Sequence, residues 1–205
     1  MTGQPRQERA LIKRRALLDA ANALFSQQPF EAVTAKGIAS RAEVAVGTFY
    51  QNFNNKDEIL REIAAEWMAK VVERVTSIEL GIVANDSEQR LEIIESRFLT
   101  VLGFIYEMHS ENPSLHQIME HRRDHDEELD AVLNEAQHAL LQCVTQFVSS
   151  FRVAEPGVVA ANLYAMAEGL VHALVFNTVH RGMSHEQSLE SGAKMLASYF
   201  SQIRD

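Results

Sequence analysis

Cys143 is the one cysteine in the chain. A lone thiol cannot close an intrachain disulfide, so no disulfide framework holds this fold, and a reducing compartment is expected. Its neighbours Leu141, Val144 and Phe147 suggest a small buried hydrophobe rather than a reactive nucleophile. Four prolines and nine glycines are few, which favours long helices with short connections. No segment alternates apolar and polar residues well enough to read as a strand. No apolar run approaches the ~20 residues that a membrane helix needs, and the polar, basic N-terminus lacks the apolar core of a secretory signal. These absences point to a soluble cytoplasmic protein. There is no internal repeat, no glycine-rich phosphate loop, and no serine or cysteine in a nucleophile motif. No catalytic residue and no cofactor are therefore assigned.

What is present is apolar and helix-forming. Hydrophobic residues make up 46% of the 205, enough for one or two cores of ordinary domain size. The net charge of −9 is unevenly spread. Residues 1–57 carry eight Lys and Arg against five Asp and Glu, a net +3, which leaves −12 for the rest. That asymmetry suggests a small basic reader, residues 1–57, attached to a larger acidic body, residues 58–205.

The punctuation predicts an all-α fold of about nine helices. The first spans residues 6–28, with Leu17, Ala21, Leu24 and Phe25 on one face and Leu18 beside it, and Pro29 stops it. Thr34 stands at an N-cap position ahead of a short helix that ends near Ala42. A second short helix runs from Val46 to Asn52, and Asn54 or Asn55 caps a longer one with Asp57 or Glu58 in its first turn. Asp86 with Gln89 opens a helix to about Ser110. Asn112-Pro113 opens another to about Arg122, and a long helix follows. Pro156 opens a helix that Gly182 closes. Ser184 with Gln187 opens the last, ending near Ile203.

Two short helices joined by a brief turn read as a helix-turn-helix, whose second helix enters the DNA major groove. Ala39 is small where the helices cross, and Ile38, Ala42, Val44 and Phe49 would pack on Leu24 and Phe25. Gly47 and Thr48 permit close backbone approach and supply a hydroxyl, and Tyr50 and Gln51 extend the same face. Lys56 opposes the helix dipole from a first turn, at a cost of about 0.3–1 kcal/mol that a docked phosphate would remove.

The stretch "TAKGIASRAEVAVGTFYQNFNNKDEIL" resembles the DNA-binding signature of TetR-like transcriptional repressors. With the first helix included, the likeness covers about 45 residues. It implies an all-helical homodimer that binds a palindromic operator and releases it when a ligand occupies the body. By position, Thr34, Lys36, Thr48, Tyr50 and Lys56 would hold phosphates, while Arg41, Val46, Gly47, Gln51 and Asn52 would lie at or near base edges. Three residues depart from the family's habit. Glu43 and Pro29 stand where glycine is usual, and Ala45 where serine or threonine is common. Glu43 either strains the turn at a positive φ or turns helical and pairs with Arg41 or Lys36.

In the body, Phe98, Leu102, Ile105, Met108, Met119, Leu140, Phe147 and Tyr164, with Trp67 nearby, are candidates to line a pocket for a small hydrophobic or aromatic effector. The same residues would equally suit a bundle core. His121 and His125 have helical spacing, as do His116 and Glu120, but the acids at 124 and 126–128 make that stretch read as a solvated hinge, and no metal is assigned. Leu163, Met166, Leu170, Leu174, Met195, Tyr199 and Phe200 on the last two helices would form a four-helix interface with a second copy. The alternative reading is a helical protein–protein adaptor of the same fold that has lost DNA binding.

Overall fold

The structure, a computed structural model, describes residues 4–77, 87–151, 153–176, 182 and 184–201. Among them it contains nine α-helices: α1 (Gln4–Phe25), α2 (Ala35–Arg41), α3 (Val46–Asn52), α4 (Lys56–Thr76), α5 (Ser87–Glu111), α6 (Pro113–Arg123), α7 (Glu127–Ser149), α8 (Pro156–Val175) and α9 (His185–Ser201). Asp86 and Ile203, expected at helix ends, lie outside the described residues.

Capping residues set several of these boundaries. Thr34 Oγ1 accepts from Gly37 N at 3.0 Å and opens α2. Asn55 Oδ1 accepts from Glu58 N at 2.8 Å, and the Glu58 carboxylate in turn accepts from Asn54 N at 2.6 Å. That reciprocal pair satisfies donors at the start of α4 that no helical carbonyl can reach. Asn112 Oδ1 accepts from Leu115 N at 3.1 Å, with Pro113 in the first turn of α6.

Three boundaries differ from expectation. α1 ends at Phe25, and a 3-10 turn at Phe30–Ala32 follows Pro29, whose own φ is −57°. The proline ring starts this turn as well as excluding helix before it. α8 ends at Val175, where Phe176 N closes on His172 O at 3.0 Å, so Gly182 (φ +79°) lies beyond the helix rather than capping it. Pro156–Val175 is also long and apolar enough to cross a membrane, by length and composition alone. Asn162, Glu168 and His172 break the apolar run along the sequence, but averaged over the whole helix the valines, leucines and alanines prevail.

The chain divides into two compact units: Met1–Ala69 with Asn112–Asn134, and Lys70–Glu111 with Glu135–Asp205. In the first, α1 packs on α2, α3 and α6. Leu17, Phe25, Ile38, Phe49, Phe53, Ile59 and Leu60 are fully buried there, with Leu24, Ala42 and Val44 packed against them. In the second, α5 lies against α8 and α9. Its core is aromatic: the Phe151 and Phe200 rings stand 4.5 Å apart, and Phe147 meets Phe200 at 5.5 Å. A Cβ at Gly192 would fall 2.3 Å from Leu170 Cδ2, so α9 presses against an α8 side chain at that point. Cys143 is half-buried in this unit, less enclosed than its apolar neighbours suggest.

Candidate nucleic-acid interface

The turn between α2 and α3 has the geometry of a helix C-terminal motif. Glu43 N donates to Ser40 O at 3.2 Å and Val44 N to Ala39 O at 3.0 Å, with Glu43 between them at φ +55°. This pair of reverse bonds around a left-handed residue is the Schellman arrangement, which normally carries glycine at the left-handed site. Glu43 fills that site at a cost of about 1–2 kcal/mol. No ion pair joins it to Arg41 or Lys36 among the described residues, so of the two alternatives the structure has the strained turn.

α3 then begins at Val46. Its N-cap, Ala45, has no side-chain oxygen and makes no capping bond, which gives a physical meaning to the departure at that position. Val46, Gly47, Tyr50 and Gln51 are exposed at helical spacing, so they share one face. A Cβ at Gly47 would meet nothing within 4 Å. Tyr50 is 61% exposed, although its ring edge rests 5.3 Å from the buried Phe49. A hydroxyl presented to solvent by a ring seated on the core is well placed to bond a partner. Thr34, Lys36 and Arg41 are exposed as well.

Thr48, Asn52 and Lys56 are only half-exposed. The Asn52 amide donates to Thr48 O at 2.8 Å, and Asn52 O accepts from Arg14 Nη1 at 2.9 Å. Arg14 also pairs with Glu62 and lies 4.3 Å over the Phe53 ring, so it fastens α3 to α1 and α4. Lys56 Nζ donates to Phe30 O at 2.6 Å and Val33 O at 3.1 Å. Two of its three protons are thus directed into the protein.

The stretch expected to be a solvated hinge is a tied joint within the first unit. Asp126 is 8% exposed; its carboxylate accepts from Arg61 Nε at 3.0 and 2.9 Å and from Leu129 N at 3.0 Å. Burial pushes this carboxyl up, but the Leu129 amide and the Arg61 guanidinium more than offset that and hold it below the usual carboxylate range. Glu128 also pairs with Arg61, and Arg122 Nη2 meets Asp57 at 2.7 Å. An acid placed three residues before Leu129 was a readable N-cap signal. Its partner Arg61, 65 positions away, was not.

The remaining assigned residues divide between the units. Met119 lies in the first unit's core, and Trp67 packs against that core. Leu102, Leu140 and Phe147 are buried in the second unit, where Phe98, Ile105, Met108 and Tyr164 are half-buried. Of the residues assigned to a subunit interface, Leu163 and Phe200 are buried in the second unit's own core, at 6% and 4% exposure. Leu170 and Leu174 are half-buried. Met166, Met195 and Tyr199 are exposed at 52%, 64% and 43%.

These features define a helix-turn-helix protein of all-helical fold, and its relatives agree. Residues 17–63 match the family described as bacterial regulatory proteins, tetR family. That match covers the last turns of α1, all of α2 and α3 and the start of α4, so it is the helix-turn-helix segment that is similar to this family. An 85-residue stretch is 35% identical to the HTH-type transcriptional repressor KstR of Rhodococcus jostii strain RHA1, and it spans 42% of this chain and 38% of that repressor. Solved structures share the fold over nearly the whole length. A transcriptional regulator of Rhodococcus sp. RHA1 superposes with TM-score 0.72 at 15% identity, over 92% of this chain and 96% of its own. The fatty acid degradation regulator FadR of Bacillus halodurans does so with TM-score 0.66 at 17% identity, over 90% and 94%.

Proposed function

We propose that this chain is a cytoplasmic transcriptional repressor that binds a palindromic DNA operator as a homodimer and releases it when a small hydrophobic or aromatic molecule binds the body. The observation that carries the reading is the exposed α3 face, Val46, Gly47, Tyr50 and Gln51, standing on a buried Phe49 and flanked by Thr34, Lys36 and Arg41. In this reading residues 1–57 are the reading head and residues 58–205 bind ligand and partner.

A second copy is favoured by α8. Only 17% of its most apolar window is buried within the chain, and Val158, Ala161, Ala165, Met166 and Gly169 are exposed along one stripe. Small residues in such a stripe let another helix approach closely. Beside it Met166, Leu170, Gly192, Met195 and Leu196 line a groove of about 330 Å³ that a partner's side chains would fill. Two reading helices held by such a dimer would meet successive major grooves about 34–36 Å apart. An effector need only favour the released state by a few kcal/mol to empty the operator.

The test is selection of bound fragments from genomic DNA, followed by a salt series on the recovered site. Recovery of a palindrome, with Tyr50→Phe and Arg41→Ala each weakening binding, supports the assignment. Affinity for duplex that shows no salt dependence leaves the adaptor reading in its place.

A further inference from the structure

Two imidazoles and one carboxylate converge inside the second unit, on residues that no part of the DNA-binding reading uses. His109 comes from the last turn of α5, and Glu168 and His172 stand one helical turn apart on α8. His109 Nε2 lies 3.5 Å from Glu168 Oε2, and His172 Nε2 lies 3.7 Å from the same oxygen. The two imidazole rings are 5.2 Å apart.

We infer that His109, Glu168 and His172 form a binding site for a divalent first-row transition-metal ion of the Zn2+ type. The tautomer of His109 is the first support. Its Nδ1 is 2.8 Å from Ile105 O, and a carbonyl can only accept, so Nδ1 carries a proton and Nε2 is the nitrogen that faces Glu168 and is placed to ligate an ion. An imidazole whose far nitrogen is tied to a backbone carbonyl is the usual form of a metal-ligating histidine. Distance is the second. Contacts of 3.5 and 3.7 Å are longer than N–H···O hydrogen bonds. They are near the ligand-to-ligand edges of about 3.4 Å expected around a tetrahedral ion with bonds of about 2.0–2.1 Å. Two imidazoles on such an ion would have their centres about 5.2 Å apart. Burial is the third. His109 is 5% exposed, while Glu168 and His172 are partly open, so the ion would have one enclosed anchor and a path to solvent. Nitrogen and carboxylate donors together suit Zn2+, Co2+ and Ni2+ better than Mg2+ or Ca2+, which prefer oxygen alone. Three protein ligands leave at least one position for water or an anionic ligand.

Neither DNA binding nor dimerisation enters this inference, so its failure would leave the proposed function standing. The test uses full-length protein with any tag removed, stripped by chelator and titrated with Co2+, then with Zn2+ in competition. One equivalent per chain, with visible ligand-field bands bleached by Zn2+, is expected. Glu168→Gln and His172→Gln should each weaken binding by about 100-fold or more, with circular dichroism confirming the fold. The exposed pair His121 and His125, whose rings are 5.7 Å apart, is the rival site, and changing both to alanine should alter nothing. Should either α8 variant fail to fold, cobalt-edge absorption on the wild type must report two imidazoles and a carboxylate. The inference is overturned if wild type takes up no stoichiometric ion, if binding survives both α8 variants, or if it is lost with His121 and His125.

Discussion

Lys56 Nζ donates to the carbonyl oxygens of Phe30 and Val33 and sits 4.2 Å over the Phe30 ring, so the first-turn cation of α4 holds the 3-10 turn that follows α1. The dipole penalty expected of that position is offset inside the protein before any DNA arrives. The third ammonium proton is not used by either carbonyl, so under the proposed function Lys56 would be both a fastener and a phosphate contact.

Lys56→Met keeps the apolar stem and removes the charge. It should lower stability by about 2 kcal/mol, the worth of hydrogen bonds from a charged group, and reduce the slope of log affinity against log salt by about one. A urea titration and a salt series read the two effects separately. An unchanged urea midpoint would show that the carbonyl bonds contribute nothing, and an unchanged slope would remove Lys56 from the phosphate contacts.

Much of the first unit was legible in the sequence because its determinants are local. Thr34, Asn55 and Asn112 announce helix starts within three or four residues of the groups they cap, and α3 runs from Val46 to Asn52 as its pattern indicates. What escaped depends on residues far apart in the chain. Arg61 and Asp126 are 65 positions apart. His109 on α5 and Glu168 on α8 likewise meet from separate helices, and nothing in the sequence paired them. Periodicity also could not tell which face of α8 or α9 turns inward, so Leu163 and Phe200 were grouped with exposed Met166 and Met195.

Glu43 should gain from becoming glycine. Removing its Cβ relieves about 1–2 kcal/mol of left-handed strain, and the added freedom of the unfolded chain returns about 0.4–1 kcal/mol. Glu43→Gly is therefore expected to melt slightly higher, and to bind nonspecific duplex more tightly for want of a negative charge beside the phosphates. A lower melting midpoint would mean that the Schellman turn accommodates glutamate without strain.

The Asp126 joint should be acid-sensitive. Its folded-state pKa lies below the unfolded value of about 3.9. The stability it contributes is therefore present above that value and is lost as pH falls through the folded one. Asp126→Asn should cost about 3 kcal/mol near neutral pH, because it takes the buried carboxylate from Arg61 and leaves it only the exposed Glu128 as an ion-pair partner. The loss should shrink toward pH 3. Urea midpoints for both proteins at pH 7 and pH 3 give the comparison, and a variant whose deficit stays constant with pH would detach the carboxylate from the effect.

Subunit contact is best probed at exposed positions. Met166→Asp and Met195→Asp should leave the fold intact and convert a dimer into chains of 23.0 kDa by light scattering. Phe200→Asp should instead unfold the second unit, since that ring is enclosed by Phe98, Phe147 and Phe151. Wild type that scatters as a monomer at high concentration would contradict the dimer outright.

Gly192 ties the interior of the second unit to its outer surface. A methyl there would strike only the mobile end of Leu170 at 2.3 Å, so the side chain could turn aside while both helices stay in place. Leu170 also lines the groove beside Met166 and Met195. A single added carbon would therefore reshape the groove that a second copy is proposed to fill, with neither helix displaced.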